Sequence, residues 1–247
     1  MKRWHFLLGL VFLLTLLGGL IAFTPLSFVM RHSGAVQQGL AWQQARGTVW
    51  QGQVTGLSWR GTPLGAVNLE SHPLRLVSGG PSHEVTWSGP LGQGQARIAL
   101  RRTALKADGI SLSVPLTGQI GTDPLFAGLG ATVRLSNGSV RMTGTACETA
   151  SGTVTSDVAR LAAAEFGRDW PILTGPLTCK SGQFHAVLTG EATDGTQIRL
   201  VADSLVGARA EVRGVDQELE GVLLAAGFRD AGGALVYNRG IGPREME

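Results

Sequence analysis

The 247-residue chain has only 16% charged residues, 36 glycines and a net charge of +3. So little charge, with Thr and Ser plentiful, excludes a helix bundle rich in Ala, Glu, Lys and Leu and favours many short strands joined by tight turns. The basic residues are scattered, Arg101-Arg102 being their longest cluster, which excludes the basic stripe with interleaved aromatics of a nucleic-acid binder.

Residues 6–23 form an almost unbroken apolar run between Lys2-Arg3 and Arg31-His32. Extended to Met30, it supplies the roughly 20 residues a helix needs to cross the hydrocarbon core. The basic start predicts that residues 1–5 stay in the cytoplasm, residues 6–30 span the inner membrane, and the rest is exported. A cleaved signal peptide is the competing reading. It would end on small residues, which Gly19-Leu20-Ile21-Ala22-Phe23 does not provide.

Residues 31–46 read as a Gln-rich linker, and residues 47–238 as a β-rich periplasmic domain. Residues 45–54 alternate apolar and polar about Val49, and Leu57 and Trp59 stand two apart, on one strand face. Residues 61–65 predict a turn before a strand at 66–70. Residues 83–87 and 94–100 continue the alternation, and residues 104–114 read as two short strands broken at Asp108-Gly109. Residues 131–142 predict a hairpin, because Asn137-Gly138 tolerates the positive φ of a type I′ turn.

Residues 157–166 carry Val158, Leu161, Ala162 and Phe166 at helical spacing, with Gly167 as the stop. A second helix is predicted over 216–226, with Leu219, Leu223 and Ala226 on one face and Gly227 beyond its end. Strands resume at 183–188, 197–202, 209–212 and 233–237, and residues 239–247 read as a loose tail. The fold class is therefore mainly β: one transmembrane helix, then a curved antiparallel meander with two short helices.

Cys147 and Cys179 both lie in the exported part, where a lone pair most often forms a disulfide. The bridge would tie the 157–166 helix to strands starting near Thr153 and Gln183. A metal site lacks further ligands, since His185 is isolated, and neither cysteine has the partners of an activated thiol. Hydrolase, Walker and dinucleotide motifs do not occur, and nothing brings Asp123 and Asp169 together as an acid pair. No catalytic residue, cofactor site or metal site is therefore expected. Trp50, Trp59 and Trp87 either fill the core of a glycine-rich sheet or offer docking aromatics to a partner or lipid.

The order of these parts resembles a known family. Gly47-Thr48-Val49-Trp50-Gln51-Gly52 follows the apolar run, and a Pro73-Leu74 step comes later. Cys147 precedes Ser151-Gly152, and Cys179 closes Leu173-Thr174-Gly175-Pro176-Leu177-Thr178-Cys179. A Leu-rich helix and a closing strand to Tyr237 complete the pattern. Over nearly its whole length the chain is similar to protein N of the type II secretion system. The resemblance implies an inner-membrane, periplasm-facing, non-enzymatic accessory. It would contact other secretion components and membrane lipid, and it marks Gly47, Thr48, Trp50, Gly52, Gly175 and Leu177 as structural motif positions. The alternative function is a membrane-anchored β-sheet module that handles lipid and maintains the envelope.

Overall fold

Proline at position 25 decides how the apolar run ends. In the computed structural model, which describes residues 9–13, 15–16, 18–20, 23–71, 82–101, 104–116, 129–203 and 207–239, the described residues from 9 to 20 are helical and Phe23 lies in a turn. Pro25 lacks an N–H and disfavours a helical residue before it, so the helix cannot run through. A separate helix, α1 (Leu26–His32), starts after it. The expected span therefore does not continue as one helix to Met30. No helix among the described residues is long and apolar enough to cross a membrane. Residues 1–8, most of the tail, Pro73, Leu74 and Asp123 lie outside the described residues.

The chain forms two compact units, Met1–Pro90 and Leu91–Glu247. In the first, a 3₁₀ turn (Val36–Gln38) leads into β1 (Leu40–Ala41), β2 (Gln44–Gly47), β3 (Gln51–Trp59), β4 (Thr62–Ser71) and β5 (Ser82–Gly89). Both β1 and β2 pair with one edge of β3, and β4 and β5 follow on the other, all antiparallel. The expected linker is thus largely structured. The alternating stretch over 45–54 folds back on itself as β2, a turn and β3, with Gly47 opposite Gly52. The turn predicted over 61–65 falls at Arg60-Gly61, where φ is +48° and +84°.

The second unit contains β6 (Gly92–Arg101), β7 (Ala104–Pro115), β8 (Thr132–Thr143), β9 (Ala146–Ser156), α2 (Val158–Ala164), β10 (Leu173–Lys180), β11 (Gln183–Glu191), β12 (Gln197–Asp203), β13 (Ala208–Arg213), α3 (Gln217–Ala225), β14 (Arg229–Asp230) and β15 (Leu235–Arg239). Strands β6 to β13 pair in sequence order, as a meander should. Then β15 pairs with β13 and β14 lies outside it.

Two sequence expectations fail here for one physical reason. Asp108-Gly109 does not split a strand, and Asn137-Gly138 does not close a hairpin. Both sit inside long continuous strands as β-bulges. Gly109 (φ +61°) and Asn137 (φ +53°) take the positive φ that a turn would also have used. Each bulge inserts one residue and so shifts the side-chain parity. In β7 the apolar positions change from Leu105 and Ala107 to Ile110, Leu112 and Val114, and in β8 from Val133 and Leu135 to Val140 and Met142. The bulges thereby keep these residues on one face.

That face carries the core of the second unit. Leu173, Leu188, Ile198, Val212 and Leu235 from the strands meet Ala159 and Ala163 of α2 and Leu219 and Leu223 of α3. The buried side of α2 is thus its alanines, and Phe166, expected on the inward face, is half exposed beyond the helix. Asp216, read from the sequence as the first helical residue, instead caps α3 by accepting the Leu219 N–H at 2.9 Å, and Gly227 (φ +94°) follows the helix as the sequence predicts.

Candidate functional site

The Gly-Thr-x-Trp-x-Gly segment is the tight turn between β2 and β3. Thr48 Oγ1 accepts the N–H groups of Trp50 (3.3 Å) and Gln51 (3.2 Å), and the Thr48 N–H donates to the Gln51 carbonyl at 2.9 Å. A side chain at Gly47 (φ +82°) would fall on that same carbonyl oxygen. One at Gly52 would meet the Thr48 carbonyl oxygen at 2.6 Å and Leu26 Cδ2 at 2.7 Å. Leu26 is buried, Pro25 forms a β-bridge with Thr48, and the Val49 N–H donates to the Thr24 carbonyl at 3.2 Å. The four motif positions thus build a seat into which the chain leaving the apolar run is fastened.

Gly175 and Leu177 lie on β10. Gly175 stands opposite Val154 on β9, and a side chain there would strike the Val187 backbone of β11. Leu177 packs at the border of the core. Cys147 and Cys179 are joined by a disulfide, with their Cα atoms 5.7 Å apart. The strand expected near Thr153 begins earlier, at Ala146, and β10 over 173–180 has no counterpart in the sequence reading. The bridge does not tie α2 to anything. It clamps the ends of β9 and β10 farthest from α2, and the Cys147 N–H donates to the Gly182 carbonyl at 2.8 Å in the next turn.

The three candidate docking tryptophans are not brought together. Trp50 sits in the β2–β3 turn, half buried and stacked against His83 at 6.5 Å between ring centroids. Trp87, on β5 opposite Val67, donates its indole N–H to the Leu64 carbonyl at 2.6 Å. Trp59 ends β3, nine residues beyond Trp50, and is 49% exposed. Trp170, which lies in the loop the disulfide closes, is buried in the core, with its indole N–H unpaired.

Across the second unit the apolar face forms registered rows: Ile98, Ala107, Val140 and Ala150, then Leu112, Leu135 and Val154. Several members of this face, Leu105, Leu112, Leu135, Met142 and Phe184, are only half buried. The opposite face is polar. Thr189, Arg199 and Glu211, beside Glu191, Gln197 and Arg213, line a shallow depression of about 390 Å³. Its charges cancel, and Arg213 pairs with Glu211 at 2.5 Å.

One electrostatic knot had no sequence signal, since its members are far apart in the chain. Arg168, after α2, pairs with Asp216 at the start of α3 and with Asp194 in the β11–β12 turn, the latter at 3.8 Å. The Leu219 N–H and then Arg168 hold the Asp216 carboxyl below its ordinary range. The Thr196 N–H chiefly does the same for Asp194. Among the described residues no three His, Cys, Asp or Glu side chains converge as a metal site.

What the arrangement offers is surface and rigidity: a fastened N-terminal joint, a clamped sheet and an apolar face. No curated protein and no solved structure matches the chain. The family model for type II secretion system (T2SS), protein N, matches residues 38–238, from the 3₁₀ turn to the last strand. The chain therefore belongs to the type II secretion system protein N family.

Proposed function

We propose that this protein is a non-catalytic component of a type II secretion apparatus, held in the inner membrane by its N-terminal apolar run and facing the periplasm. The observation that carries this reading is the family match over both sheet-bearing units. The fastening of residues 24–26 to the β2–β3 turn supports it, because it suits a body carried at a set position on an anchor. The disulfide fits an oxidising compartment. Its partners are other components of the apparatus, which its surfaces help to assemble. Deleting the gene and measuring exported enzymes in the medium tests the reading. Lost secretion, restored by the intact gene, is the expected result, and unchanged secretion overturns it.

A second reading has one observation in its favour. Leu105, Met142 and Phe184 leave part of the apolar face only half buried, as an acyl-chain-handling sheet would. Phospholipid retained by residues 33–247 purified without the apolar run, detected by mass spectrometry, would support it. Its absence would count against it.

A further inference from the structure

The first unit buries little of its own apolar surface. Its buried apolar side chains among the described residues are Leu26 and Val54. By contrast, of the large apolar side chains left exposed in the described chain, only Phe166, Ile172 and Leu224 lie beyond Trp59. Those of the apolar run are accounted for by a span. Phe28, Val29, Val36 and Trp59 are not, since they belong to the folded unit.

These four follow one continuous path. Phe28 (56% exposed) and Val29 (38%) lie on α1, and three residues separate α1 from the 3₁₀ turn that carries Val36 (61%). The end of that turn is bonded to the end of β3. The Trp59 indole N–H donates to the Gln38 carbonyl at 3.2 Å, and the Arg60 N–H donates to the Gly39 carbonyl at 2.8 Å. The Arg60 guanidinium lies over the Trp59 ring, 5.0 Å from its centroid. Arg31 and His32 close α1, both exposed, and the His32 ring lies tilted against Phe28, 4.2 Å between centroids. Before Glu70 the sequence contains no Asp or Glu at all, so every formal charge in this region is positive.

Aromatic rings with a polar edge, apolar side chains beside them and unopposed Arg residues are the chemistry of the boundary between headgroups and acyl chains. We infer that the corner formed by α1, the 3₁₀ turn and the end of β3 lies in the membrane interface and binds anionic phospholipid headgroups. Phe28, Val29, Val36 and Trp59 enter the acyl boundary, while Arg31 and Arg60 meet the phosphates. The occupant is a bilayer because the corner is continuous with the apolar run, through α1 and Pro25. This rests on the anchored reading above, and deepens it: the bilayer is a second support for the first unit as well as the site of its anchor.

The test uses the full chain in vesicles of phosphatidylethanolamine and phosphatidylglycerol. Phe28→Cys, Val36→Cys, Thr86→Cys and Leu13→Cys each carry a spin label, and oxygen and nickel-chelate accessibilities are measured. The native cysteines are bridged, so only the added thiol reacts. Labels at 28 and 36 should report the lipid boundary, that at 86 water, and that at 13 the acyl interior. Arg31→Gln and Arg60→Gln should each lower the lipid-contacting fraction at 36 about fivefold, the effect of one basic side chain near an anionic surface. Water at 28 and 36 with lipid at 13 overturns the inference and leaves the anchor standing. Water at 13 as well overturns both.

Discussion

Gly109 on β7 and Asn137 on β8 are bulged residues of neighbouring strands, both at positive φ, and each restores the parity its strand would otherwise lose. A methyl added at Gly109 would meet nothing within 4 Å, so Gly109→Ala is opposed by backbone strain alone. It should cost about 1 kcal/mol in a denaturant melt. Deleting Gly109 should be far worse, because Ile110, Leu112 and Val114 would turn to the opposite face.

The Cys147–Cys179 bridge spans 32 residues of chain, a loop whose closure in the unfolded state is worth about 3–4 kcal/mol in the chain-entropy model. Cys147→Ser and Cys179→Ser should each lower the melting point and the steady-state level equally, and the double variant should be no worse. Mass spectrometry of non-reduced peptides should recover the linked pair. Two free thiols in oxidised material would refute the bridge.

Leu26 and Gly52 form a closed contact. Leu26→Ala should cost about 2–5 kcal/mol, as expected when a buried leucine is emptied. Gly52→Ala should also destabilise, and adding Leu26→Ala should relieve it only in part, because the Thr48 carbonyl at 2.6 Å still blocks the new methyl. Protease cleavage between residues 24 and 48 would report the loosened joint.

Acid should weaken the Arg168 knot. Because the folded values of Asp216 and Asp194 are depressed, their contribution is present above the ordinary carboxylate value near about 4 and fades as pH falls through the lower folded values. Thermal melts from pH 6 to pH 3 should show this. Arg168→Gln should shrink the dependence without removing it, since the backbone donors of Leu219 and Thr196 remain. Asp216→Asn, which keeps a capping oxygen, should be milder than Asp216→Ala.

The sequence made the strands legible wherever alternation was regular, as in β5, β6, β11 and β12. It also made α3 legible, because its apolar face and terminal glycine agree. Bulges defeated it. Asn137-Gly138 offers the same positive φ to a hairpin and to a bulge, and only the partner strands choose between them. The first half of β9 and all of β10 were not legible, because their inward positions include Gly152 and Gly175, which carry no apolar signal. The inward side of α2 was misjudged because alanines suffice where a helix lies close to a sheet. At the candidate site the motif positions were visible as a pattern. Their joint role was not, because Pro25 and Leu26 had been assigned to the span.

A free chain over residues 31–46 would let its ends wander by about 22 Å. Here the backbone bonds from residues 24 and 25 to residues 49 and 48 shorten that leash to almost nothing. Motion of residues 24–26 is therefore passed directly to the β2–β3 hairpin. A neighbour that displaces those residues would reorient the hairpin with them.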